Sequence, residues 1–141
     1  MKQSLYRPTL LVGIGRGGAI VCALLSGSLG DRPPFIALER EYDWKEKKRT
    51  SKVFEDITFH KNLDRVLLIA GDVVTGETAN TFTEYLKKLG AKEIRLLTFL
   101  KVKSTTRIPD YFYVESNSSN FRLPWMINDD YLRDSREIYK K

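Results

Sequence analysis

The amino-acid sequence predicts an α/β fold with a mainly parallel sheet flanked by helices. Three observations lead there. Short apolar runs alternate along the chain with segments of helical spacing, the order of strands joined by crossover helices. The runs are nearly continuous in apolar character, as strands covered on both faces require. Glycines close two of the runs, just before a helical segment, where such a sheet turns its chain.

The elements follow in order. Residues 9–14 (TLLVGI) make the first strand, and the cluster Gly15-Arg16-Gly17-Gly18 follows it. A helix over 19–29 is stopped by Gly30. Residues 34–39 (PFIALE) make the second strand. Residues 40–52 are charged and aperiodic, and read as a loop too long for an ordinary connection. Residues 53–57 suit a short strand, and 65–70 (RVLLIA) a buried one. A turn over 71–76 leads to a helix over 77–89, whose apolar Ala79, Phe82, Leu86 and Leu89 are spaced three, four and three apart. Gly90 ends it. Strands over 94–100 and 110–115 follow. The tail carries Phe121 and Pro124-Trp125, then a charged helical end over 129–141, read as solvated.

Composition sets bounds. With 141 residues, one domain spanning 1–141 is expected. Hydrophobic residues at 42% and charged ones at 30% fit a folded chain and exclude disorder. No apolar run approaches the roughly 18 residues of a membrane span. The N-terminus has no separate apolar signal core, so a cytoplasmic protein is expected. A single cysteine, Cys22, and a single histidine, His60, exclude an internal disulfide, a Cys-based zinc site and a His-rich metal site. Cys22 reads as core and His60 as structural or exposed. The net charge of +6 admits nucleic acid as a partner and equally suits a polyphosphate ligand. Residues 45–52 hold five basic residues and one acid, either a solvated loop or part of a site.

The chemistry gathers at two strand–loop–helix units, LLVGIGRGGAI and LLIAGDVVTGETAN. Each places a glycine turn at the carboxyl end of a strand, the edge where open α/β sheets bind ligands. A helix N-terminus presents unpaired N–H groups and a positive dipole end, which favour phosphate. Two such turns suggest a ligand with two separate phosphate groups. The first also satisfies G-x-G-x-x-G through Gly13, Gly15 and Gly18, with Glu39 placed 21 residues on. That is the spacing of a dinucleotide site, which leaves the second turn and the basic stretch unexplained.

Over residues 10–125 the chain resembles a type I phosphoribosyltransferase, most nearly the purine-salvage branch that handles xanthine, guanine and hypoxanthine. VGIGRGG (12–18) resembles that family's pyrophosphate loop, and EREYDWKEKKRTSKVF (39–54) its flexible catalytic loop. VLLIAGDVVTGETA (66–79) resembles the phosphoribosyl pyrophosphate signature. TFLK (98–101) resembles the strand end that meets the purine, and FRLPWM (121–126) the small C-terminal hood, here within 116–141.

The resemblance implies roles. Gly15, Arg16, Gly17 and Gly18 would meet the pyrophosphate, with a non-proline cis peptide and strain near Arg16-Gly17. Thr75, Gly76, Glu77 and Thr78 would cradle the 5′-phosphate; helix capping by Thr75 with Glu77 in the first turn is the plain alternative. Asp72 would hold the ribose hydroxyls, directly or through a cation. Lys101 would donate to a purine carbonyl and Phe121 would stack on the base, with a surface lysine and a core aromatic as the plain readings. Tyr42 and Lys45, in the charged loop, would shield an oxocarbenium-like transition state. Mg²⁺ would bind mainly through substrate, so no protein metal cluster is required.

The chain departs from the family pattern in four places. Gly71 stands where the first acid is usual, and the signature is one residue short. Val74 stands where purine members place an aspartate as candidate base. Few residues precede the first strand, so a homodimer or hetero-complex could cover the sheet's flank. Phe121 and Trp125 are one residue closer than usual. The leading reading is thus an enzyme moving ribose 5-phosphate from phosphoribosyl pyrophosphate to a purine base. A catalytically weak sensor or effector subunit that binds a nucleotide is the alternative. A dinucleotide-binding domain is third, and nucleic-acid binding rests on charge alone.

Overall fold

The computed structural model describes residues 6–53, 62–118, 121 and 123. Among these residues seven strands and two helices run in the order β1 (Leu10–Ile14), α1 (Gly15–Ser28), β2 (Phe35–Leu38), β3 (Arg40–Asp43), β4 (Lys48–Val53), β5 (Arg65–Val73), α2 (Glu77–Lys88), β6 (Glu93–Val102) and β7 (Tyr111–Ser116). Five strands form one sheet in the order β2-β1-β5-β6-β7, and every neighbouring pair in it is parallel.

A parallel sheet must be covered on both faces, and each helix covers one. Leu10, Val12, Val66, Leu68 and Leu96 point toward α2 and pack with Ala79, Phe82 and Leu86. Their strand neighbours Leu11, Leu67 and Ile69 point the other way and pack with Cys22 of α1 and with Tyr6. Cys22 is fully buried, and burial pushes its thiol up to about 12, so it is inert core. Tyr6 donates its hydroxyl to the Val66 carbonyl at 2.8 Å, and the Arg95 guanidinium lies 4.2 Å over its ring. No described helix is long and apolar enough to cross a membrane.

The structure shifts several expected boundaries. α1 begins at Gly15 rather than residue 19, so the glycine cluster is the helix's first turn. Close packing explains why glycine is needed there. A Cβ on Gly18 would stand 2.4 Å from the Ile69 carbonyl oxygen, and one on Gly13 would stand 2.7 Å from Gly18. β5 continues through Gly71-Asp72-Val73, of which Asp72 and Val73 pair with β6 instead of turning. The segment read as a loop over 40–52 contains an antiparallel hairpin, β3–β4. Its tip is fixed by Asp43 Oδ1, which accepts the Lys45 N–H at 2.9 Å and the Glu46 N–H at 3.2 Å. Of the strand expected over 53–57 only Val53 is described, as the end of β4. His60 and the tail from residue 124 lie outside the described residues.

The chain leaves β1 for β2 on one side, while β5, on its other side, leads to β6 and β7. The connections diverge between β1 and β5, and that reversal opens a crevice beyond the strands' carboxyl ends.

Candidate active site

The crevice holds about 530 Å³, within the size range of small-molecule sites. Ile14, Arg16 and Gly17 line one wall, Glu39 closes the β2 side, and residues 70–76 with Thr78 and Ala79 line the other wall.

The first wall is the start of α1. Ile14 precedes the helix in extended geometry and makes no side-chain cap, and no acidic residue stands in the first turn. The helix's first N–H groups and its dipole are therefore uncompensated by side chains. Gly15 turns the chain at φ 62°, and every described peptide bond is trans. The cis peptide expected at Arg16-Gly17 is absent; the left-handed glycine makes the turn instead. Arg16 is exposed. Gly15 and Gly18 do not line the crevice; Gly18 is wedged between helix and sheet.

The second wall begins on β5. Asp72 is half-buried in it, and burial pushes its carboxyl above the ordinary aspartate value. The turn then runs through Val74 and Thr75 to Gly76, which takes a left-handed φ of 89° at the start of α2. Thr75 Oγ1 accepts the Glu77 N–H at 3.2 Å, a turn contact from the residue before the cap, while the cap itself, Gly76, makes no side-chain hydrogen bond. The remaining first-turn N–H groups of α2 have no intrahelical partner. Thr78 lines the crevice, whereas Glu77 is exposed outside it.

Glu39 extends from the end of β2, its Oε1 3.7 Å from where a Cβ on Gly15 would stand. The crevice thus has two turns suited to anions and two carboxylates, Glu39 and Asp72. Among the described residues no group of three or more His, Cys, Asp or Glu gathers in metal-binding fashion.

The other expected site residues lie apart from this crevice. Lys101 pairs in register with Val73 across β5–β6 and is 8% exposed. Its Nζ lies 2.7 Å from Glu115 Oε2 and 4.8 Å from the Phe112 ring centre. The Lys101 ammonium donates to Glu115 and holds its carboxyl below the ordinary glutamate value. Phe121 is partly buried, packing with Val74 and Phe99 against Leu100, Val102 and Leu123. Tyr42 pairs with Arg49 through the hairpin backbone. Lys45 stands exposed at the tip beside Trp44, which is 81% exposed.

Three residues gain a place that the sequence did not disclose. Glu39 drew notice as a dinucleotide acid, and the structure puts it in the crevice that both turns line. Glu115 carries no motif; its only signal is the register of β7 against Lys101. Arg107 lies against Gly76 from the connection after β6, a contact that no spacing in the sequence announces.

Comparison with known proteins agrees with this geometry. Residues 3–131 match the phosphoribosyl transferase domain family. The structure is similar to that of a purine phosphoribosyltransferase from Pyrococcus horikoshii Ot3, with 28% identity and a TM-score of 0.66 over 86% of this chain and 82% of that one. It is also similar in fold to a Helicobacter pylori xanthine-guanine-hypoxanthine phosphoribosyltransferase, with 18% identity and a TM-score of 0.63, covering 95% and 82%. A Staphylococcus aureus hypoxanthine phosphoribosyltransferase matches at 19% identity and a TM-score of 0.64, covering 82% and 65%. Among curated proteins no sequence is significantly similar.

Proposed function

This chain belongs to the phosphoribosyl transferase domain family, and from that premise we propose that it moves ribose 5-phosphate from phosphoribosyl pyrophosphate to a purine base in the cytoplasm. The observation that carries the reading is a crevice with an anion-suited turn on each wall and Asp72 on the wall that β5 forms. Phosphoribosyl pyrophosphate has phosphate at both ends of one ribose, which is the ligand such a crevice fits. The choice of a purine is supported by the similarity to purine phosphoribosyltransferases.

In the reaction, a purine ring nitrogen forms a bond to C1′ as the C1′–oxygen bond to pyrophosphate breaks. Pyrophosphate leaves with the electron pair, and the proton of the purine nitrogen passes to the departing pyrophosphate or to water. The α1 start with Arg16 and Gly17 would bind the leaving group. Thr75, Gly76 and Thr78 would hold the 5′-phosphate through backbone N–H groups and hydroxyls. Asp72 would orient the ribose hydroxyls, and Glu77 would act through the turn's backbone. Lys101, held by Glu115, would reach the base only from the β6 end, and Phe121 contributes to packing there. Tyr42 and Lys45 would act from the hairpin, excluding water and adding positive charge near the departing group.

The donor set fits Mg²⁺, which takes one or two carboxylates together with phosphate oxygens and waters. Asp72 and Glu39 would hold it, and bound there it would neutralise charge on the pyrophosphate. Val74 offers no proton acceptor. General acid–base assistance is typically worth about 10²–10⁴-fold, so slow turnover is expected.

Calorimetric titration with phosphoribosyl pyrophosphate, with and without Mg²⁺, tests the reading. Mg²⁺-dependent micromolar binding is expected; no heat up to millimolar ligand would overturn it. Gly71 and Val74 favour a second reading, a nucleotide-binding sensor or effector subunit. Gly71→Asp separates the two: a large gain in turnover supports the enzyme, and unchanged negligible turnover supports the binding module.

A further inference from the structure

The connection from β6 to β7 is held tightly at both ends. Lys103 N–H donates to the Ser116 carbonyl at 2.8 Å and Thr105 N–H to the Val102 carbonyl at 3.1 Å. At the far end Asp110 N–H donates to the Leu96 carbonyl at 2.8 Å, and Asp110 Oδ2 accepts the Leu96 N–H at 2.8 Å. Between these anchors the chain lies on the turn at the start of α2. Thr106 Oγ1 stands 3.5 Å from the Thr75 carbonyl oxygen. A Cβ on Gly76 would stand 2.1 Å from Arg107 Cβ and 3.1 Å from its Cγ.

Arg107 is partly buried there, and its Nε is shielded from solvent without any hydrogen-bond partner. It joins no ion pair among the described residues. Two other cations differ: partly buried Arg95 bonds Glu93 and Tyr111, and buried Lys101 bonds Glu115. A shielded donor with no acceptor is unfavourable. A cation at a helix N-terminus is unfavourable as well, since both carry positive charge. Glu77 is the only acid in that first turn, and it is exposed and does not pair with Arg107. An anion on the turn would offset the second cost, and would offset the first where its oxygens reach the guanidinium.

We propose that Arg107 is the side-chain cation for the terminal phosphate held by the 75–78 turn, and that it makes this end of the crevice selective for the phosphate dianion. The proposal rests on the function proposed above and adds a charged partner to a turn otherwise made of backbone and hydroxyls. The alternative is that only its aliphatic stem matters, filling the space that Gly76 leaves.

Two substitutions separate charge from shape. Arg107→Met keeps an unbranched stem without the charge, and Arg107→Lys keeps a charge. Both chains and the unsubstituted one are titrated with ribose 5-phosphate and, separately, with pyrophosphate. The titrations are made at about pH 5 and about pH 7.5, either side of the second phosphate pKa of about 6. Arg107→Met is expected to lose about tenfold or more in ribose 5-phosphate affinity, as removal of a charge-assisted contact does. It is expected to lose little for pyrophosphate, and to gain less affinity than the unsubstituted chain when the phosphate deprotonates. Arg107→Lys is expected to keep most of both. The proposal falls if Arg107→Met binds ribose 5-phosphate as the unsubstituted chain does. It falls too if the two variants lose equally, because shape would then be the cause. If the unsubstituted chain binds pyrophosphate and ribose 5-phosphate not at all, the functional reading fails first and takes this proposal with it.

Discussion

Asp72 carries a charge that the folded chain holds at a cost. Burial raises its carboxyl above the unfolded aspartate value, so between the two values the folded state binds a proton that the unfolded chain has released. Stability therefore falls as pH rises through that window and stays lower above it. Asp72→Asn removes the cost. Thermal melts at graded pH are expected to show a higher Tm for the variant at neutral pH. The gain should vanish below the unfolded aspartate pKa of about 3.9, and turnover should drop. Equal melting at neutral pH would mean that a neighbour already compensates the charge. Gly76 makes a second, sharper case. Its φ of 89° and the Arg107 stem 2.1 Å from any Cβ both oppose a side chain. Gly76→Ala is expected to cost about 2–4 kcal/mol in urea unfolding, from left-handed strain and overpacking together, and to abolish ribose 5-phosphate binding. Such turn residues were legible because glycine, threonine and acid in short order have few uses after a buried strand. Arg107 and Glu115 were not, because what matters about each is a neighbour brought in by the fold.

The two helices differ in how their glycines are used. Gly18 is locked against Ile69 and Gly13, while Gly27, also in α1, has nothing within 4 Å of a built Cβ. Gly18→Ala should force α1 off the sheet and cost about 1–3 kcal/mol. Gly27→Ala should instead stabilise by about 0.5–1 kcal/mol, because it only removes freedom from the unfolded chain. Denaturant midpoints of the two variants on either side of the unsubstituted chain would bear this out; a shift in the same direction for both would not. β1, β5 and β6 were legible from their continuous apolar runs, and α2 from the spacing of Ala79, Phe82 and Leu86. Gly90, at φ 98°, ends α2 as its position suggested. The β3–β4 hairpin was not legible. Its pairing runs through the backbone of a stretch dominated by Lys, Arg and Glu, with no alternation to mark a buried side.

At the level of the entire chain, a net charge of +6 accompanies a crevice with an anion-suited turn on each wall. Pyrophosphate at about a hundred times its Kd should add about 2.7 kcal/mol of stability, read as a rise in Tm. Raising salt from low to molar strength should weaken that rise, since the Debye length shrinks to about 3 Å at 1 M. A salt-independent rise would place the stabilisation in short-range hydrogen bonds alone. The strand order was foreseen only as parallel; which strand lies beside which is a property of long-range pairing.

That pairing also sets a clock. Leu10 is partnered with Val66, so β1, which can meet β2 on one side once residue 38 is made, lacks its other neighbour until β5 has been synthesised. At about 5–20 residues per second, β1 waits roughly 3 to 11 s. Through that interval Leu10, Leu11 and Val12, all fully enclosed in the finished sheet, stand as an open apolar edge on the nascent chain. The topology that creates the binding crevice thus leaves the newborn protein dependent on whatever shelters that edge before residue 66 arrives.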